Sequence, residues 1–566
     1  MRTSFPRILV AYATLAVCIT WPVALHPATL VAGAQRSDLW ESLWSLWMFQ
    51  RQVWAGQISF HTDLIGFPDG GTIVVADLVN AVIALPLVPV LGVVPAYNLL
   101  VLGHLVFSGA AAHRLAEALP PRGAPRGAGW VAGTAWIAAP VLVSGIHNGT
   151  SEAIAGGWLP LALLAALAAV RRGGAGRGIA AGGALALCTL ASWYFGLAAF
   201  LAVAALLVVG EGSVPLGRRF LRLLPVMAVG AGLVAPVAFA VLRASTAPDT
   251  LVGIKNVREL ASVRRTNGPA DPVGWFAIGD YRSPDFRELS RYGEDFIHCH
   301  YLGWVLLLGG ILALAGRTRR RGLAWIALAG LAGGLLAMGP VVARFGSPVL
   351  LGQDRAIPLP WFLVERWPGL SSLSLLYRLG ALPSLALSVM AGIGLASRTR
   401  WSRIATLVAV ASVLVDLRLL APVRGLPHVA SAVPPRPIVD LAAAPEGAVM
   451  NFPVVGGRPY LWEQTVHGKP LAGSLNFPNS RASQHVWRGI LAAPADRPEA
   501  VREAVRRTAC SQRIRYLVVH EDPLARPDMH DTAVTRLQVA FDPLYTDGSI
   551  RVYDLCGAPP GAKEGR

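Results

Sequence analysis

The sequence predicts an all-α polytopic membrane protein of about 11 transmembrane helices carrying a C-terminal soluble α/β domain. Three observations predict it. Hydrophobic residues fill 54% of 566 positions and mean hydropathy is +0.50. Soluble cores cannot absorb that much apolar surface, whereas uncharged runs near 20 residues match a hydrocarbon slab about 30 Å thick. Arginine clusters (Arg114/Arg122/Arg126, Arg171/Arg172/Arg177 and Arg317/Arg319/Arg320/Arg321) stand between those runs, as cytoplasmic loops require. From Pro422 onward the chain turns mixed, with a Pro-rich linker at Pro434, Pro435 and Pro437.

Taken in order, the spans fall near 8–25, 96–113, 128–146, 153–170, 178–192, 193–210, 223–242, 301–316, 322–340, 379–397 and 404–420. The first lacks a small-x-small cleavage site, so it reads as a retained span. Ile179–Gly210 would make a single helix of about 48 Å, too long for one crossing. Basic clusters on both sides of it demand two crossings, with a turn near Ser192-Trp193-Tyr194. Ile73–Val94 is the opposite case. Counting it as a span would place Arg114, Arg122 and Arg126 outside, so it reads as a re-entrant or juxtamembrane piece broken by Pro86, Pro89 and Pro95.

The N-terminus is then cytoplasmic, in a bacterial inner membrane, and residues 1–420 form the membrane body. The outside receives a first loop (26–95), a turn at Ser144–Glu152, loops at 244–300 and 341–373, and a periplasmic domain at 421–566. That domain is expected to hold a helix at Ile438–Ala444, strands at Ala448–Val455, Arg515–His520 and Ile550–Leu555, and a helix at Arg497–Thr508. Cys510 and Cys556 each lie beside one of these strands, where an oxidising compartment permits a bridge. The net charge of +17 is explained by positive-inside placement, so it implies no nucleic-acid partner.

The first outer loop carries the most chemistry. In Asp38-Leu39-Trp40-Glu41-Ser42-Leu43-Trp44 the two carboxylates are three apart and share a helix face, and Trp40, Trp44 and Trp47 form an adjoining interfacial stripe. The plain alternative is an N-cap aspartate opening an amphipathic helix. An acidic residue soon after the first span, an interfacial helix, Phe67-Pro68-Asp69-Gly70-Gly71 and a Pro-broken helix together resemble the first periplasmic loop of membrane glycosyltransferases of the C superfamily (GT-C). Pro95-Ala96-Tyr97-Asn98, Trp158-Leu159-Pro160-Leu161, Tyr301-Leu302-Gly303, Tyr377-Arg378 and Gln464-Thr465-Val466-His467-Gly468 extend the likeness to a broad bacterial group of that kind.

The resemblance implies inverting transfer of a sugar from a polyprenyl-phosphate donor to a glycan, lipid or protein acceptor, with Asp38 as general base or metal holder. A divalent cation is the cofactor it allows. The second acidic residue, Glu41, does not adjoin Asp38, and metal dependence stays open. Similar transferases carry an acid at the Ser144–Glu152 turn, where Glu152 and His147 stand. Arg378, after Tyr377 at the outer end of a span, suits a phosphate. Glu294, Asp295 and Tyr301 precede or open a span and could face the same cavity, and His61 and Asp63 are weaker metal candidates. His298 and His300 read as loop caps rather than ligands. A transporter is disfavoured by spans nearly free of charge and by the lack of repeated halves. A non-catalytic member with the same fold, its outer domain binding a glycan or a protein, is the alternative to an enzyme.

Overall fold

The computed structural model describes residues 4–557 apart from 58–59, 74–76, 121–124, 126, 211–213, 252–261, 266–267, 279–295, 345–346, 353–354, 368, 397–401, 455–457, 474–479, 495 and 522–529. A helix stands at each of the predicted apolar runs, from Phe5–Ile19 to Ser402–Leu414. Among the described residues, four helices are long and apolar enough to cross a membrane: Val93–Ala118, Ala128–His147, Leu216–Ser245 and Leu376–Leu395. Five more are apolar but shorter. Alanine-rich faces around Trp136 and Trp325 build the main helical core, which lets the helices approach closely. Leu216–Ser245 is different, with only 11% of its most apolar stretch buried in protein. It is a peripheral helix, little covered by the other described residues.

The long run 179–210 divides at Ser192, whose extended backbone (φ −161°, ψ 120°) separates helices Ala175–Ala191 and Trp193–Val208 and whose hydroxyl accepts from Phe195 N. Residues 73–94 hold two short helices, Leu78–Ala84 and Val88–Leu91. Pro95 is not a breaker here. It lies in the first turn of Val93–Ala118, where its missing N–H is not needed, and the break falls instead at Gly92, at φ +86°. Arg171 donates to Leu119 O (2.6 Å) and Arg222 to Val170 O (2.5 Å). Arg171 and Arg172 close helix Trp158–Arg172, whose 15 residues rise about 22 Å.

The C-terminal part contains a four-stranded mixed sheet ordered Tyr545–Thr546, Ile550–Asp554, Ile514–His520, Ala448–Phe452. The last two strands are parallel, with Val518 opposite Asn451, and Ile550–Asp554 is antiparallel to Ile514–His520. Strand alternation splits the apolar residues between two faces. Leu517 and Val519 pack with Trp487, Val505 and Leu537, whereas Tyr516 and Val518 pack with Leu441 and Leu461. Cys510 and Cys556 are disulfide-bonded. The helices Arg458–His467, Arg481–Ala492 and Asp531–Ala540 add to those expected.

This sheet is joined to the first loop rather than tethered beyond it. The core under Tyr516 and Val518 includes Trp44 and Met48 of the interfacial helix Leu39–Trp54. Leu30–Ala32 pairs antiparallel with Val429–Ser431. Leu471 N donates to Leu64 O and Phe67 N to Leu471 O, at 2.8 and 3.0 Å.

Candidate active site

Asp38 occupies the N-cap position of Leu39–Trp54 but makes no capping hydrogen bond. Ser37 does that work: its hydroxyl accepts from Leu39 N (3.3 Å) and donates to Ala34 O (2.8 Å). The Asp38 carboxylate is therefore not spent on its own helix. It receives Arg458 Nε at 2.9 Å, and the same nitrogen lies 3.9 Å from Glu41 Oε2. Burial first, then the Asp38 charge, pushes the Glu41 carboxyl above its ordinary range, with Arg458 opposing. The Glu41 side chain still keeps 41% of its surface open, so solvent moderates that shift.

The turn at 144–152 fits against the start of the interfacial helix. Ala34 N donates to His147 O (2.7 Å) and the Ser42 hydroxyl to Gly149 O (2.6 Å). Gly149 has φ +65°, and a Cβ there would lie 2.2 Å from Leu39 Cα. Only glycine permits that approach. The Asn148 amide holds Ile297 from both ends, Nδ2 to O and Oδ1 from N, each at 2.8 Å. With both ends of its amide occupied and 2% exposure, Asn148 cannot serve as a glycosylation acceptor.

Beyond the turn, Glu152 forms an ion pair with Arg378, both side chains almost covered. Arg378 lies in the single-turn helix Leu376–Gly380 that opens a span, with its guanidinium 5.3 Å from the centre of the Tyr194 ring. Ser144, Thr150, Glu152, Ser192, Tyr377 and Arg378 line one small pocket.

The other predicted residues stand elsewhere. His147 is fully buried against His428, whose backbone N donates to its Nδ1 at 3.3 Å. The Tyr301 hydroxyl does not face the cavity: it donates to Asp416 (2.6 Å), a buried carboxylate that also accepts from Val305 N. His61 pairs with Asp249 at the surface (3.1 Å), and Asp63 is exposed. Glu294 and Asp295 lie outside the described residues. His298 stacks on Tyr377 at 4.1 Å, whereas His300 bonds Asp271 O and meets Trp275, so the two rings share no centre.

A divalent cation fits this donor set poorly. Asp38 and Glu152 are each met by a guanidinium, and the described residues contain no cluster of three or more His, Cys, Asp or Glu able to hold a metal. Sequence reasoning missed Arg458, Asn148 and Gly149.

No protein-family model matches the chain, and no curated protein matches it. Solved structures do. The arabinofuranosyltransferase AftD from Mycobacteria aligns over 98% of this chain and 42% of its own, at TM-score 0.51 and 16% identity. The archaeal oligosaccharyltransferase AglB from Archaeoglobus fulgidus, solved with an inhibitory peptide and a dolichol-phosphate, aligns over 91% and 69%, at TM-score 0.50 and 11% identity. ArnT from Cupriavidus metallidurans, solved with undecaprenyl phosphate, covers 98% of both chains at 11% identity and TM-score 0.47. These neighbours are GT-C glycosyltransferases, and at such identities the likeness is one of fold.

Proposed function

We propose that the protein is a membrane glycosyltransferase moving a sugar from a polyprenyl-phosphate donor to a glycan, lipid or protein hydroxyl. In this reading it works on the outer face of a bacterial inner membrane, with residues 421–566 as an outer domain. The donor's tail stays in lipid and its phosphate rests at Arg378, which Glu152 orients. Asp38 takes the acceptor hydroxyl's proton as that oxygen bonds to the anomeric carbon. The bond from that carbon to the phosphate oxygen breaks on the opposite face, inverting the centre, and polyprenyl phosphate leaves with the electron pair. Glu41, with its raised carboxyl, is the second proton acceptor of the cleft.

The observation that carries this reading is the orientation of Asp38. An aspartate at a helix start ordinarily caps it, and this one is turned away to Arg458. The test uses protein in nanodiscs supplied with undecaprenyl-phosphate-linked sugars and hydroxyl acceptors. Asp38→Asn is expected to lower transfer by about 100-fold or more. Undiminished turnover by a folded Asp38→Asn protein would remove Asp38 from the mechanism.

A further inference from the structure

Arg458 opens the helix Arg458–His467 in the C-terminal part of the chain, 420 positions from the carboxylate it meets. Its setting is built from several sides. The helix lies along Leu39–Trp54, with the Trp40 and Trp462 rings stacked at 6.0 Å and Trp44 Nε1 donating to Gln464 Oε1 at 2.6 Å. The same Gln464 amide donates to Leu64 O in the first loop (2.5 Å) and to Lys469 O (3.0 Å). The guanidinium is flanked by the Phe296 ring, 5.1 Å from its centre. The arginine that meets Asp38 is thus delivered by a dock made of three tryptophans and a glutamine that makes three hydrogen bonds. A planar guanidinium fixes a carboxylate's direction as well as its charge.

We propose that Arg458 is a positioning residue of the transferase site: through its ion pair it aims the Asp38 carboxylate into the cleft, so that the site is complete only when the C-terminal unit is docked on the interfacial helix. This rests on the transferase reading above. Asp38 lacks a bond to its own helix start and would otherwise turn among several rotamers. Misplacing a reacting group by about 1 Å costs rate rather than ground-state affinity, since the donor's tail and phosphate are held elsewhere.

The experiment measures release of undecaprenyl phosphate from undecaprenyl-phosphate-linked sugars by full-length protein in nanodiscs, with short alkyl glycosides as acceptors. Arg458→Gln is expected to lower kcat about 10- to 100-fold, with the donor KM within about threefold of wild type. Its melting temperature should match that of Arg507→Ala, a control at an exposed site. Because Arg458 acts through Asp38, the Asp38→Asn/Arg458→Gln double variant should be no slower than Asp38→Asn alone. Unchanged kcat, a loss confined to KM, or multiplicative losses in the double variant would overturn the proposal. Should Arg458→Gln fail to fold, Arg458→Lys keeps the charge but not the Nε contact, and an unchanged kcat in it has the same force. Wild-type protein that consumes none of the donors sinks the proposed function and this inference with it. Wild-type turnover with an unaffected Arg458→Gln sinks the inference alone.

Discussion

At the residue scale, the molecule handles its carboxylates in pairs with arginine, and the cost of covering them decides how each can be altered. Glu152 and Arg378 are both almost covered, so removing one charge strands the other in a poorly solvated place. Glu152→Gln should therefore destabilise the protein by about 3 kcal/mol. The double variant Glu152→Gln/Arg378→Met should regain much of that stability without regaining transfer, and thermal unfolding beside the donor assay separates the two effects. Equal melting of wild type and Glu152→Gln would mean the pair bears no such load. Glu41 gives a pH signature. Its carboxyl is raised on folding, so the folded protein holds its proton to higher pH than the unfolded chain, and the stability linked to that proton is lost as pH rises through the folded value. Glu41→Gln should accordingly gain on wild type in melting temperature between pH 5 and pH 8, and a constant difference would contradict the assignment.

At the scale of elements, the turn at 144–152 and the helix start at Leu39 behave as one unit, because Gly149 lets their backbones touch. Gly149→Ala places a Cβ against Leu39 and forces a left-handed φ on alanine. It should cost about 1–3 kcal/mol from the backbone alone and reduce transfer by shifting Asp38. Differential scanning of the variant beside the activity assay tests both parts; full activity would mean that the turn does not set the position of Asp38.

Much of this level was legible in advance. Uncharged runs marked the helices, parity placed the turn at Ser192, and alternation marked the strands Ile514–His520 and Ile550–Asp554. Of the three prolines read as breakers of 73–94 (Pro86, Pro89 and Pro95), Pro95 is harmless because it falls in a helix's first turn, and Gly92 carries the positive φ. Arg481–Ala492 went unread, though Ala482, Val486 and Ile490 recur at helical spacing, because its apolar face is short and set among charges. In the candidate site, the two ion pairs involve Asp38, Glu41, Glu152 and Arg378, which the sequence singles out through the family resemblance and the predicted topology. Arg458 is not singled out, since pairing across 420 positions leaves no local pattern. His147 lies against His428 and the Tyr301 hydroxyl donates to Asp416, both apart from the Glu152–Arg378 pair.

On the scale of the whole molecule, the C-terminal sheet stands on the first loop, and its own integrity sustains the cleft. The Cys510–Cys556 bond spans 46 positions, which by loop-closure entropy corresponds to about 4 kcal/mol. The Cys510→Ser/Cys556→Ser protein should melt earlier by a comparable margin, and reductant should do the same to wild type; indifference to both would mean the bond adds nothing to stability. The pairing of Leu30–Ala32 with Val429–Ser431 has a consequence for biogenesis. An N-terminal segment must wait for a strand synthesised about 400 residues later, after the hydrophobic helices between them have entered the bilayer. A chain released before residue 429 is made lacks both that strand and Arg458, and its first loop is left unstitched.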